Sequence, residues 1–339
     1  VTVWSNALRR VGYGIVVLLL VTFSVSLLLH LAPGSVAQTI LGEEATPENV
    51  AALNASLGFD RPFIVQYVDW LWHAVQGDLG TSPITHIPVM QSILQRLPVT
   101  LEIAFLALII SLLISIPLAI LSAARPGSAL DRGISAITSV FLSVPAFVAG
   151  PILIYFFAVS LNAFPALGWT PLDEGLGANL RAAFLPALAA GITEIAAFHR
   201  VLRADLIGTL REDYVAAARA KGLSGNYVMF RHAFRPSSFS LLTISGLSLA
   251  RLIGGTIIVE MLFVLPGLGQ FIATAVSTSD VVAVQGVVSF IALVFVVMNM
   301  LVDIGYGLVD PRVRRAPKAR RRKTGEKRPA REQKPAVTA

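Results

Sequence analysis

Long apolar runs alternate with short polar stretches along this chain, and the alternation predicts its main elements. Apolar residues dominate 11–32, 101–124, 134–160, 182–204, 237–262 and 282–308. Each run reaches the roughly 20 residues that carry a helix across a bilayer. The expectation is an all-α integral membrane protein with six transmembrane helices. Pro117, Pro145 and Pro151 fall inside runs, where neighbouring helices can satisfy the freed backbone groups and kinks are tolerated. Glu194 lies in the fourth run and Arg251 in the fifth, while Glu260 and Asp303 lie toward run ends. A charge at the bilayer centre is costly unless paired or hydrated. Glu260 and Asp303 therefore read as structural hydrogen-bonding groups. Glu194 and Arg251 have two readings: a mutual ion pair locking two spans, or residues lining a pathway and meeting charged groups of a substrate.

The first run follows Arg9 and Arg10 and precedes Ser35-Val36-Ala37, which loosely resembles a signal cleavage site. Signal cores span about 7 to 15 residues, so this longer run does not read as one, and segment 1–32 reads as a short N-terminal cytoplasmic segment and a retained first transmembrane helix. Residues 33–100 are too long for a plain turn. Phe59, Phe63, Tyr67, Trp70, Leu71 and Trp72 can supply a small packed external cap, with Pro47, Gly58 and Gly77 as breaks between short helices. The core then occupies 101–310.

Within that core, the loop 205–236 contains EDYVAAARAKGL at 212–223. Ala216, Ala217 and Ala218 favour helix and leave little side-chain bulk, and Gly222 supplies the left-handed position that ends a helix. Arg219 and Lys221 place positive charge in the last turn, where the helix dipole is negative. A short, smooth, basic helix of this kind suits insertion into a cleft on another protein. An ordinary interfacial helix between two spans is the alternative.

Composition agrees with the pattern: 55% of residues are hydrophobic and 14% charged, against about 25% charged in a soluble domain. Basic residues are distributed unevenly. Segments sharing one side hold Arg9, Arg10, Arg125, Arg132, Arg200, Arg203, Arg211, Arg219, Lys221, Arg231 and Arg235, plus the tail. The other side holds Arg61, Arg96 and Arg181 among nine acidic residues. By the positive-inside rule both termini are cytoplasmic. The tail, 311–339, carries twelve basic residues between Arg312 and Lys334 and reads as a disordered segment attracted to anionic lipid. No aromatic residue interleaves its charges, so nucleic acid is not an expected partner.

Other chemistry leaves no signature. There is no cysteine, and His30, His73, His86, His199 and His232 are scattered without metal-ligand spacing. No nucleophile motif or glycine-rich phosphate loop occurs, so the chain is neither a hydrolase nor an ATP motor. Gly254 and Gly255 read as close-packing residues between helices, and Pro266, Gly267 and Gly269 as the turn leaving the fifth run.

The stretch 212–223 resembles the cytoplasmic coupling motif of permease subunits of ATP-binding-cassette importers, with Ala216 where the general pattern has Glu. The peptide and nickel branch reads similarly to DYVAAARAKGL. Further segments resemble that branch in order: LGFDRPFIVQYVDWL at 57–71, GDLGTS at 77–82, RLPVTLE at 96–102, SVPAF at 143–147, VLPGLG at 264–269, VQGVV at 284–288 and DPRV at 310–313. The resemblance implies a type I importer permease fold and the B-type member of a permease pair, with an external insertion between the first two helices. Its implied partners are a second permease, two ATPase subunits that bind ATP and Mg, an external substrate-binding protein and membrane lipid. The implied location is a prokaryotic inner membrane. Coupling would fall to Asp213, Tyr214, Ala216, Ala217, Ala218, Arg219, Lys221, Gly222 and Leu223. Short peptides are the implied cargo, with a nickel chelate or glutathione as alternatives. A stand-alone secondary transporter using Glu194, Arg251 and Asp303 as a relay is the competing class, and it leaves the coupling stretch without a purpose.

Overall fold

The computed structural model describes residues 3–31, 36–42, 45–58 and 60–309, and among these the regular elements are helices. α1 (Val3–Leu31) is followed by α2 (Val36–Leu41), α3 (Pro47–Leu57) and α4 (Phe63–Val75). Thr46 caps α3 by accepting the Asn49 N–H at 3.2 Å, and Gly58 ends it at φ 75°. Phe63 and Tyr67 of α4 meet Phe23 of α1 edge-on, and the Tyr67 hydroxyl lies 3.0 Å from that of Thr22. Trp70 stacks on Tyr67. α4, within the stretch expected to form the external cap, is thus docked on the first helix. Trp72 takes no part in it and is 68% exposed, and Phe59 lies outside the described residues.

α5 (Val89–Ala124) starts well ahead of the apolar run at 101 and continues through Pro98 and Pro117. α6 (Ala129–Ser143) and α7 (Ala146–Leu153) divide the third run, which was expected to be one helix; with its π-helical extension Ile154–Ser160, α7 turns 109° from α6. Pro145 is the cause: it disfavours helical geometry at Val144, whose backbone is extended at φ −95°, ψ 113°.

After the short 3-10 turn Leu172–Glu174 come α8 (Leu176–Thr209) and α9 (Asp213–Ala220). α10 (Gly225–Tyr227) runs through a π-helical segment, Val228–Phe234, into α11 (Arg235–Gly255), forming one long run Gly225–Gly255. The fifth apolar run breaks there. α12 (Ile257–Phe263) and α13 (Leu268–Ser277) are bent 82° from each other before α14 (Val281–Val309). By length and composition, five helices in the described residues can each cross a membrane alone, and two bent pairs can do so together.

α8 is the central element, packed on α5, α6, α7 and α11, while α1 packs on α14 at the periphery. Small residues let α5 and α8 approach closely. A Cβ at Gly191 would stand 2.9 Å from the Ala107 carbonyl oxygen, and Ser111 Oγ donates to that oxygen and to the Gly191 carbonyl at 2.6 and 2.9 Å.

Polar contacts mark two ends. At one, the α6 start meets the C-terminal half of α8, and Thr209 Oγ1 lies 3.1 Å from Ser237 Oγ of α11. At the other, Thr100 of α5 meets Glu260 of α12, the Gly168 N–H donates to the Phe263 carbonyl at 3.0 Å, and Ser82 donates to Asp280. The α6–α7 pair runs from the first end to the second. The α12–α13 pair stays at the second.

Candidate functional site

α9 projects beyond the end of α8 and is tied back to it by little. Val215 and Ala218 are buried against Val228 and Leu210, and the Tyr214 hydroxyl donates to the His232 carbonyl at 3.1 Å. Asp213, Ala216, Ala217, Arg219, Lys221, Gly222 and Leu223 are exposed. Ala218 therefore belongs to the seam holding the helix, and the free face is Ala216 and Ala217 with the basic residues. The spacing explains this: 215 and 218 lie on one helical face and 217 points away from it. Gly222 has φ 80° and donates to the Arg219 carbonyl at 2.9 Å, closing the helix in the left-handed conformation its sequence predicted. A Cβ there would meet nothing within 4 Å, so the requirement for glycine is conformational.

Glu194 and Arg251 come together. Arg251 Nη2 donates to Glu194 Oε2 at 3.2 Å and to Ser248 Oγ at 2.8 Å, and Ser248 Oγ in turn donates to Glu194 Oε2 at 2.5 Å. The Glu194 side chain is enclosed while more than half of the Arg251 side chain is not, with side-chain exposures of 10% and 57%. Asp303 belongs to α14, but its side chain lies outside the described residues, as does the tail. Gly254 and Gly255 do not pack closely among the described residues, because a Cβ at either would meet nothing within 4 Å.

Glu260 is fully buried and accepts three donors: Thr100 Oγ1 at 2.8 Å, Thr256 Oγ1 at 3.0 Å and the Gly269 N–H at 2.6 Å. Thr100 Oγ1 also accepts the Leu268 N–H at 2.9 Å. The glycines of VLPGLG make room for this carboxylate. A Cβ at Gly267 would collide with Glu260 Oε2, and one at Gly269 with the Ile257 Cα. They form a seat for Glu260 as well as a turn.

A second buried cluster joins α5, α6 and α8 at the α9 end. Arg203 donates from Nε and Nη2 to Asp131 at 2.6 and 2.7 Å, and the Gly127 N–H adds a bond of 2.8 Å. His199 lies between Ser122 Oγ, 3.1 Å from Nε2, and Thr138 Oγ1, 3.2 Å from Nδ1. The sequence reading missed the Asp131 pair. Its available signal was Ser128 followed three residues on by an acid, a helix-start pattern: Ser128 Oγ does accept the Asp131 N–H at 3.2 Å.

Residues 115–315 match the family described as the inner membrane component of binding-protein-dependent transport systems, and residues 5–104 match the N-terminal region of such membrane components. The chain is 39% identical over 308 residues to a permease protein attributed to a peptide transport system of Brucella abortus (strain 2308), covering 91% of this chain and 98% of that one. It is 34% identical over 309 residues to the oligopeptide transport system permease protein AppB of Bacillus subtilis (strain 168), covering 90% and 98%. The corresponding values for the dipeptide transport system permease protein DppB of Escherichia coli (strain K12) are 33% over 331 residues, 91% and 98%. In three dimensions the chain is similar in fold to a chain of the MetNI methionine ABC transporter in an inward-facing conformation. The TM-score is 0.54 at 19% identity, over 65% of this chain and 97% of that one.

Proposed function

The chain belongs to the family of binding-protein-dependent transport system inner membrane components and has the type I ABC importer permease fold, and from that premise we propose that it is the permease subunit of an ATP-driven importer of short peptides. One observation carries the cargo assignment. Similarity to relatives named for peptide, oligopeptide and dipeptide transport extends over 90% or more of the chain.

The contacts support six crossings: α1, α5, the broken α6–α7, α8, the run Gly225–Gly255 and α14. The α12–α13 pair is then a re-entrant excursion. The basic residues around α9 support a cytoplasmic position for that helix and for both termini. In this reading the chain pairs with a second, similar permease, receives peptide from an external binding protein, and takes its energy from two ATPase subunits. ATP and Mg reside on those subunits, whose chemistry reaches this chain as movement of α9. Asp213, Tyr214, Ala216, Ala217, Arg219, Lys221, Gly222 and Leu223 form the docking element, and Ala218 holds it in place.

The test is uptake of a labelled dipeptide and tripeptide by proteoliposomes containing both permeases, both ATPases and the binding protein. Uptake is expected to require ATP and the binding protein. Uptake by this chain alone, driven by a proton gradient and indifferent to ATP, overturns the assignment.

A further inference from the structure

Arg251 stands where a cation is least welcome, and its contacts satisfy only part of it. Its partner Glu194 lies near the middle of α8, roughly 22 to 27 Å from either end at a rise of about 1.5 Å per residue. At that depth a charged side chain faces protein or water, not lipid. Yet the Arg251 side chain is 57% exposed. Nη2 serves Glu194 and Ser248, while Nε and Nη1 donate to no group among the described residues. Glu194 already balances the charge, so no further acid is needed for neutrality. What remains is a fixed set of N–H donors. The surface beside it is open: Leu247, one turn earlier, is exposed, and Gly254 and Gly255, one turn later, present bare backbone on which a Cβ would meet nothing within 4 Å.

We propose that Arg251, held by Glu194 and Ser248 at mid-membrane depth, lines the translocation passage and binds a carboxylate of the transported peptide through its free Nε and Nη1. This rests on the peptide-import reading above and names the group of the cargo that is recognised. Donor-only guanidinium edges complement carboxylates, and every unblocked peptide has one at its C-terminus. An acidic side chain offers the same chemistry.

The chain contains no cysteine, so Arg251→Cys installs a unique thiol in this subunit. Glu194→Gln/Arg251→Cys is the companion variant, because it leaves no unpaired buried carboxylate. Both are assembled in the complete complex and treated with a water-soluble cationic thiosulfonate. The thiol is expected to react and to be protected during turnover with peptide-loaded binding protein. Uptake of Ala-Ala should fall about tenfold or more and partly return once the cationic group is attached. Uptake of the C-terminal amide of Ala-Ala should fall less than about twofold; comparing the two falls cancels selection by the shared binding protein. If Asp-Ala amide behaves like the free acid, a side-chain carboxylate also occupies the site.

A thiol unreactive in every state of the assembled complex would mean that residue 251 is sealed against the second permease, and would overturn the proposal. So would labelling with undiminished Ala-Ala uptake in both variants. A wild-type complex that imports no peptide would instead overturn the functional reading and the carboxylate assignment with it, while labelling still reports whether residue 251 faces the passage.

Discussion

Ala217 and Ala218 are neighbours in sequence on different sides of α9, so tryptophan at each position separates the proposed docking from folding. Ala218 is 6% exposed and meets Val215 and Val228, which are 0% and 1% exposed, with Leu210 alongside. Overpacking such a site costs about 1–3 kcal/mol, while burial of one valine stabilises by roughly 1.5–3 kcal/mol. Ala218→Trp therefore removes much of what holds α9 against Val228 and Leu210, and α9 should open locally. Ala217 is exposed, and a surface substitution of this kind changes stability by about 0.5 kcal/mol or less. Both variants should lose ATP-driven uptake, by different routes. Hydrogen exchange over residues 213–223 in the assembled complex distinguishes them: protection should survive in Ala217→Trp and vanish in Ala218→Trp. Gly222→Val forms a third case, since φ 80° is strained for a β-branched residue by about 1–3 kcal/mol. Normal uptake by Ala217→Trp at normal complex abundance, or equal loss of protection in both tryptophan variants, would overturn this division of α9 into a free face and a held one.

The Asp131–Arg203 pair should respond asymmetrically, because Asp131 is 3% exposed and Arg203 30%. Arg203→Leu strands an enclosed carboxylate, at about 3–5 kcal/mol, whereas Asp131→Leu frees a guanidinium that can reach water. Thermal unfolding of the purified complex should rank wild type above Asp131→Leu and that above Arg203→Leu; the opposite order of the two variants counts against the burial argument. Glu260→Gln should destabilise by about 1–3 kcal/mol, since an amide nitrogen would face one of the donors that the carboxylate now accepts, and unchanged unfolding would contradict this. Gly269→Ala, which drives a methyl into the Ile257 Cα, should lower the yield of folded complex far more than Gly254→Ala, whose methyl meets nothing within 4 Å. Similar yields on size exclusion would show that the α12–α13 turn adjusts easily.

The parts of this fold that were legible are those where a single local signal sufficed. The apolar runs located α1, α8 and α14, and Gly222 announced its left-handed turn. Hydropathy failed at the third run because apolar residues continue on both sides of Pro145; only the restriction that proline places on Val144 marks a break, and Pro98 and Pro117 show that proline inside an apolar helix need not end it. The second half of the fifth run was misplaced for the same reason, since Thr256 carries no strong stop signal. Glu194 and Arg251 were identifiable as a pair because charges are rare in apolar runs. Asp131 and Arg203 were not, because they sit at run boundaries, where charges are ordinary, and 72 positions separate them. The orientation of Ala218 needed Val228, which lies beyond the helix that contains it.

The run Gly225–Gly255 joins α9 to Arg251 without a sharp break. At about 1.5 Å per residue its 31 residues span roughly 46 Å, and Arg251 lies near 39 Å along it. Pivoted at the α9 end, a tilt of about 10° sweeps the guanidinium through roughly 7 Å, twice the ~3.3–3.6 Å that one residue of extended peptide occupies. If Arg251 holds a carboxylate as proposed, about half of that tilt would carry it past a whole residue of its own chain. The π-helical stretch Val228–Phe234 sits next to the pivot, where helical register is easiest to alter. In the proposed mechanism the stroke length would be set there, far from Arg251.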